Sequence, residues 1–123
     1  MISRARSAMA SAMSRFAPLP DPPYYAVIFT AQRTGGDDGY GAMADQMAAL
    51  AAEQPGYLGM ESTRDAAGLG ITVSYWADEA SLSAWKQHAR HLLAQKLGRE
   101  RWYEHYALRV AKVERAYQGP EGR

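Results

Sequence analysis

The chain has 123 residues, 47% of them apolar, and its 14 basic and 13 acidic side chains leave a formal charge of +1. That length fits one domain, able to bury roughly two thirds of the surface its unfolded chain exposes, and the balanced charge offers no field that would gather nucleic acid or an anionic membrane. With no cysteine the chain has no disulfide, thiolate nucleophile or zinc ribbon, and no apolar run approaches the ~20 residues of a membrane helix, so a soluble, cytoplasmic protein is expected.

Residues 1–23, "MISRARSAMASAMSRFAPLPDPP", hold no acidic side chain before Asp21 and lack the continuous apolar core of a secretory signal. They read as a disordered or helical extension, with a targeting segment as the alternative. Pro18, Pro20, Pro22 and Pro23 then make an extended approach to the first strand, because proline fixes φ and biases the residue before it away from helix.

"YYAVIFTAQR", residues 24–33, is apolar on both alternating faces, with Tyr25, Val27 and Phe29 on one and Ala26 and Ile28 on the other, as in a strand buried on two sides. "TGGDDGYG" follows as a loop. Tyr40, Met43, Met47 and Leu50 then recur at helical spacing, and the helix runs from about Gly39 to Gln54, where Pro55 and Gly56 end it. "YLGMESTRD" and "LGITVSYWA" read as two strands joined by the turn "AAG", forming a hairpin. Asp78 is placed to cap a second helix that runs to about Leu97, with Gly98 as its stop signal. "YEHYALRVAKVERAYQ" is a long last strand, closed by Gly119 and Pro120, and residues 119–123 form a tail.

The order β-α-β-β-α-β is the split βαβ unit of the ferredoxin-like α+β fold, a four-stranded antiparallel sheet with both helices on one side. Residues 24–118 are assigned to it. A first strand apolar on both faces implies that the open side of the sheet meets a partner, and a second copy of the chain is the simplest supplier of a matching surface. A homodimer packed sheet to sheet is therefore expected.

The second helix carries "WKQHARHLLAQ", residues 85–95. On a helical wheel Trp85 shares an arc with Leu82, Ala89 and Leu92, which suits either a packing anchor or the wall of an aromatic-substrate pocket. His88 sits about a quarter turn from that arc, as a surface histidine or a pocket base, since imidazole accepts a proton near neutral pH. His91 lies further round, towards solvent. The sequence HARH places no carboxylate between the imidazoles and no HExxH pattern occurs, so no metal site is expected.

Asp37 and Asp38 in "GGDDGYG" would repel phosphate, and "GLG" at 68–70 precedes a strand, the wrong context for a dinucleotide fingerprint. No nucleotide, flavin or nucleophile-elbow motif is present. "GRERWYEHYALRV" sets Trp102, Tyr103 and Tyr106 among Arg99, Arg101 and Arg109. RNA stacking is one reading of such a mixture, disfavoured by the net charge. In the others, Trp102 and Tyr106 pack over the helix end while Arg109 pairs with an acid or stabilises an enolate or phenolate.

"SYWADEASLSAWKQHARHLLAQKLGRERWY", followed by "YALRVAKVERAY", resembles the antibiotic biosynthesis monooxygenase family, in its small stand-alone bacterial form. The resemblance implies a dimeric α+β barrel of ferredoxin-like subunits and an oxygenase that needs no bound cofactor, acting on a small aromatic or quinol-like compound. It implies His88 as base and Arg109 as oxyanion donor, with Tyr25, Phe29, Trp85, Trp102 and Tyr106 as the substrate cage. The haem-degrading branch carries its ligating histidine where this chain has Gln95, and an asparagine in the first strand where this chain has "FTAQ". Haem degradation is therefore the weaker alternative, after a non-catalytic ligand-binding or stress-related dimer on the same fold.

Overall fold

A computed structural model of the chain describes the backbone of residues 15–34, 40–100 and 103–120, with side chains at 15–34, 44–91, 103 and 105–120. The elements follow the expected order: β1 (Tyr24–Arg33), α1 (Tyr40–Ala52), β2 (Tyr57–Arg64), β3 (Leu69–Trp76), α2 (Glu79–Glu100) and β4 (Tyr103–Val113). The four strands form one antiparallel sheet in the order β2-β3-β1-β4, and the helices pack on one face of it. This is the ferredoxin-like α+β fold.

Strand β1 is central because it pairs with β3 along one edge and with β4 along the other. Its registers with β3 (Val27 opposite Ser74, Phe29 opposite Thr72) and β4 (Phe29 opposite Leu108) sort every strand residue to one face. Val27, Trp76, Leu82, Trp85, Ala89 and Ala51 of α1 make the buried core on the helix side. Tyr24, Ala26 and Ile28 take the opposite, outer face.

Asp78 begins α2 as expected, its Oδ1 accepting from the Ser81 amide at 2.8 Å. That bond also lowers the carboxyl pKa below its usual range. Gly56 adopts φ +82°, and a Cβ there would collide with Ser81 Oγ, so glycine is required where α1 hands over to β2 beneath the start of α2.

Two boundaries differ from expectation. Helix α2 runs through Gly98 to Glu100; an interior glycine costs only ~1 kcal/mol relative to alanine and does not force a stop. Strand β4 ends at Val113 because its partner β1 begins at Tyr24, opposite that residue, so residues 114–118 have no ladder to join. Residues 15–23 lie along the sheet as an extended arm. The loop "GGDDG", residues 35–39, lies outside the described residues.

The arm has a defined dock on the outer face. The Ala17 amide donates to Glu61 Oε2 at 2.9 Å, and the Tyr75 hydroxyl donates to Glu61 Oε1 at 2.7 Å. Gly59 makes room for it, since a Cβ there would stand 2.9 Å from the Ala17 methyl. Burial, then the hydrogen bond and negative charge of Glu61, push the Tyr75 phenol well above its usual pKa. A raised folded-state pKa means stability that is complete below the unfolded phenol value and lost as pH rises above it. Tyr75→Phe is expected to cost about 1 kcal/mol at neutral pH and to flatten the decline above about pH 10. Urea titrations at pH 7 and 10.5 check this, and parallel declines in the two proteins would refute it.

Candidate active site

Between the helices and the sheet lies a cavity of about 290 Å³, near the lower end of the range of small-molecule sites. Its walls come from all layers. Val27 and Phe29 of β1, Met60 of β2 and Leu108 of β4 supply sheet-side apolar surface, Met47 and Ala48 the α1 side, and Trp85 and Ala89 the α2 side. The β-strand period of two delivers the sheet residues to one face, and the helical spacing of four aligns Trp85 with Ala89.

The sheet also contributes hydroxyls. Ser62 and Thr72 sit on adjacent strands with their oxygens 2.8 Å apart, and buried Ser74 accepts from the Trp76 indole N–H at 2.9 Å. When two hydroxyls share one hydrogen bond, the accepting partner keeps its own proton to donate. Among the described residues three charged side chains also line it: Asp45 from α1, Arg64 from β2 and Lys86 from α2. Asp45 and Arg64 are exposed, whereas Lys86 is half-buried.

Trp85 belongs to the core and to the cavity wall at once. It is buried, with its ring stacked on Trp76 at 5.9 Å and on His88 at 5.7 Å, and Tyr57 meets Trp76 edge-on at 5.6 Å. This column of rings runs from β2 to the surface of α2. Phe29 lines the cavity, and Tyr103 and Tyr106 each contact it with ring centroids 5.5 Å away. Tyr103 lines the cavity as well, which the sequence reading had named only among neighbouring aromatics.

The residues expected to form the site divide into groups. Phe29 and Trp85 line the cavity, and Tyr25 and Tyr106 lie on the same sheet face beside it, Tyr25 packed against the core cluster. Trp102 lies outside the described residues. His88 is exposed on α2 and stacks on the side of Trp85, outside the cavity lining; His91 is exposed too. Arg109 sits opposite Ile28 in the β1–β4 register, which places it on the outer face. Within one chain, His88 and Arg109 therefore do not converge on this cavity, because an odd–even step along β4 separates Arg109 from Leu108 and the quarter turn of α2 carries His88 into solvent.

Among the described residues, no three His, Asp or Glu side chains gather as a metal-binding group, and no helix is long and apolar enough to cross a membrane. Asp45, Lys86 and the Ser62–Thr72 pair were missed at the sequence level. Strand alternation could have picked out the hydroxyls as sharing the Met60 face. Nothing in the sequence pairs α1 with α2 across a cavity.

A crystal structure of the Pseudomonas aeruginosa protein PA3566 has the same fold, with a TM-score of 0.53 and 20% sequence identity, covering 79% of this chain and 98% of that one. The Bacillus subtilis (strain 168) protein YqjZ, itself uncharacterised, is 54% identical over 96 residues, 78% of this chain and 84% of YqjZ. A jasmonate monooxygenase of Pyricularia oryzae is 44% identical over 43 residues, which make up 35% of this chain and 20% of that protein. Residues 23–97 match the family described as antibiotic biosynthesis monooxygenase. That match covers the arm's end, β1, α1, the hairpin and most of α2, and with the likeness to YqjZ it makes this chain a member of the antibiotic biosynthesis monooxygenase family.

Proposed function

We propose that the chain is a cofactor-independent monooxygenase of a small aromatic or quinol-like compound, bound in the cavity between the helices and the sheet. The observation that carries this reading is the cavity itself: apolar and aromatic walls around a floor of hydroxyls, with one carboxylate and two cations among the described lining residues. An apolar enclosure suits a planar ring and molecular oxygen, and the polar groups are few enough to fix an orientation.

For an anthrone-like substrate the chemistry balances without an added reductant. Removal of one C–H proton gives an enolate, which passes an electron to oxygen. Recombination forms a C–O bond, and loss of water after O–O cleavage leaves a carbonyl. One oxygen atom stays on carbon and the other leaves as water, while the substrate's methylene carbon is oxidised. The protein's tasks are to accept the proton, hold the oxyanion and keep bulk water out.

Asp45 is the carboxylate, and no histidine stands beside it, among the described lining residues. We assign it the proton-accepting role. His88, across the indole of Trp85, serves better as the exposed end of the ring column. Oxygen-electrode measurements with a panel of anthrones and hydroquinones are expected to show uptake, with one O2 consumed per anthrone. Saturable ligand binding without uptake would instead support the rival reading, a non-catalytic ligand-binding protein on the same fold.

The functional unit in this proposal is a homodimer. Support comes from the outer sheet face, where Leu69 and Ile71 remain 44% and 40% exposed beside half-buried Ile28 and Val73. Residues 15–23 meet this face at Gly59 and Glu61. Burying the remaining apolar strip against a second copy would remove it from water. Sedimentation is expected to show a dimer at micromolar concentration, and a monomer there would sink this part of the proposal.

A further inference from the structure

We infer that Ser74 recognises the substrate: its hydroxyl donates to the carbonyl oxygen of a planar ring ketone and holds the negative charge that gathers there as the ketone becomes an enolate. This rests on the reading of the cavity as the substrate site and adds the ligand's functional group and the residue that reads it. The polarity of Ser74 is set by the Trp76 indole. An indole nitrogen carries a hydrogen and no lone pair to offer, so in the 2.9 Å bond between Trp76 Nε1 and Ser74 Oγ the hydroxyl can only accept. The oxygen of Ser74 is partnered in this way, yet its own proton has no acceptor among the described residues.

Ser74 is 4% exposed, which keeps that proton from surface water. It stands opposite Val27 of β1 and Met60 of β2, on the helix side of the sheet, and it lines the cavity there. A donor withdrawn from water favours any ligand that brings an acceptor to it. The neighbouring hydroxyls are placed differently. Ser62 is exposed and Thr72 half-buried, and the bond between them can run in either direction, so solvent reaches the proton they have left over. Ser74 combines a fixed donor with burial.

A carbonyl oxygen brings lone pairs and no proton of its own, whereas a hydrocarbon edge leaves the Ser74 proton unmet. The flat frame of the ligand follows from Phe29, Trp85 and Tyr103, whose rings share the lining. When the C–H proton passes to Asp45, negative charge moves onto this same oxygen, and the bond from Ser74 strengthens as the charge grows. The oxyanion role thereby goes to a residue on the cavity side of the sheet in place of Arg109, which the register puts on the other face.

Titrations of tryptophan fluorescence with 2-acetylnaphthalene and with 2-isopropenylnaphthalene, in which a methylene replaces the carbonyl oxygen, test the bond. Ser74→Ala is expected to shift the ratio of the two Kd values about fivefold against the ketone. Any loosening of the cavity weakens both compounds and leaves that ratio alone. Ser74→Thr, which keeps a hydroxyl, should restore it, and Thr72→Val should not change it. In infrared spectra the bound ketone's C=O stretch should lie at lower wavenumber in the wild type than in Ser74→Ala. Ser74→Cys, a weaker donor that still offers the indole an acceptor, should move both readouts the same way by less, and it decides the matter if the alanine variant does not fold. An unchanged ratio or stretch, a shift produced by Thr72→Val, or binding of neither compound by the wild type would overturn the inference. The oxygenase reading fails separately: a shifted ratio without oxygen uptake from any anthrone removes the reaction and leaves the ketone site, while uptake with an unchanged ratio does the opposite.

Discussion

Asp45→Asn is expected to lower oxygen uptake with an anthrone about a hundredfold or more, while His88→Ala leaves it within about twofold. The contrast follows from where the two groups stand. Asp45 lines the cavity from α1, and the amide that replaces its carboxylate has nearly the same shape but cannot take up a proton. His88 is exposed, stacks on the indole of Trp85 and is not among the residues that line the cavity. Losing the imidazole trims the end of the ring column, and the wall itself remains. The measurement is kcat and KM for each variant, with binding of 2-naphthamide as a control for an intact cavity. A large loss in His88→Ala with normal amide binding would return the base to α2 and refute the assignment to Asp45. A drop in both variants accompanied by loss of amide binding would indicate damage to the cavity instead, and Asp45→Glu, which keeps the carboxylate, would then decide whether charge at this position matters.

The placement of Asp45 shows which parts of the site could be read from the sequence. The strands announced themselves through alternation: Val27 and Phe29 were assigned to one face of β1, and both line the cavity. Trp85 was assigned to the inner arc of α2 by the helical period, and it is buried there. Such signals are local, because a period of two or 3.6 fixes orientation within one element. Functional partners depend on how elements meet. Arg109 was grouped with Trp102 and Tyr106 because they are close in sequence, yet along a strand neighbours in sequence point to opposite faces, and Arg109 went to the outer one. Asp45 and Lys86 lie on different helices with two strands between them in sequence, so no spacing rule could bring them to one cavity.

The arm teaches the same point from the other side. Residues 15–23 carry no periodic pattern, and composition alone suggested a loose extension. What holds this segment is a tertiary contact, the Glu61 carboxylate that receives both the Ala17 amide and the Tyr75 hydroxyl. Glu61 itself sits in a strand otherwise read for its hydrophobic alternation. The missing side chain at Gly59, which leaves space for Ala17, was equally silent, since a glycine in a strand marks close approach without saying by what.

Trp76→Ala is expected to have the largest effect on stability, a loss of about 3–5 kcal/mol in urea unfolding. Trp76 has no exposed surface, is stacked on Trp85 and meets Tyr57 edge-on. Truncation removes the largest fully buried side chain among the described residues and leaves a void where β3 packs against the start of α2. The same change frees the Ser74 hydroxyl from the indole N–H it receives at 2.9 Å and takes away the ring that backs Trp85, so the cavity wall loosens with the core. Trp76→Phe separates these contributions. It keeps a ring in the column while deleting the hydrogen bond and part of the volume, and is expected to cost about half as much. Since folded domains of this size hold only about 5–15 kcal/mol in reserve, the alanine variant should unfold at a much lower urea concentration and bind 2-naphthamide weakly even where it remains folded. A loss below about 1 kcal/mol for Trp76→Ala would mean that the site collapses around the missing ring, and that Trp85 keeps its position without the stack.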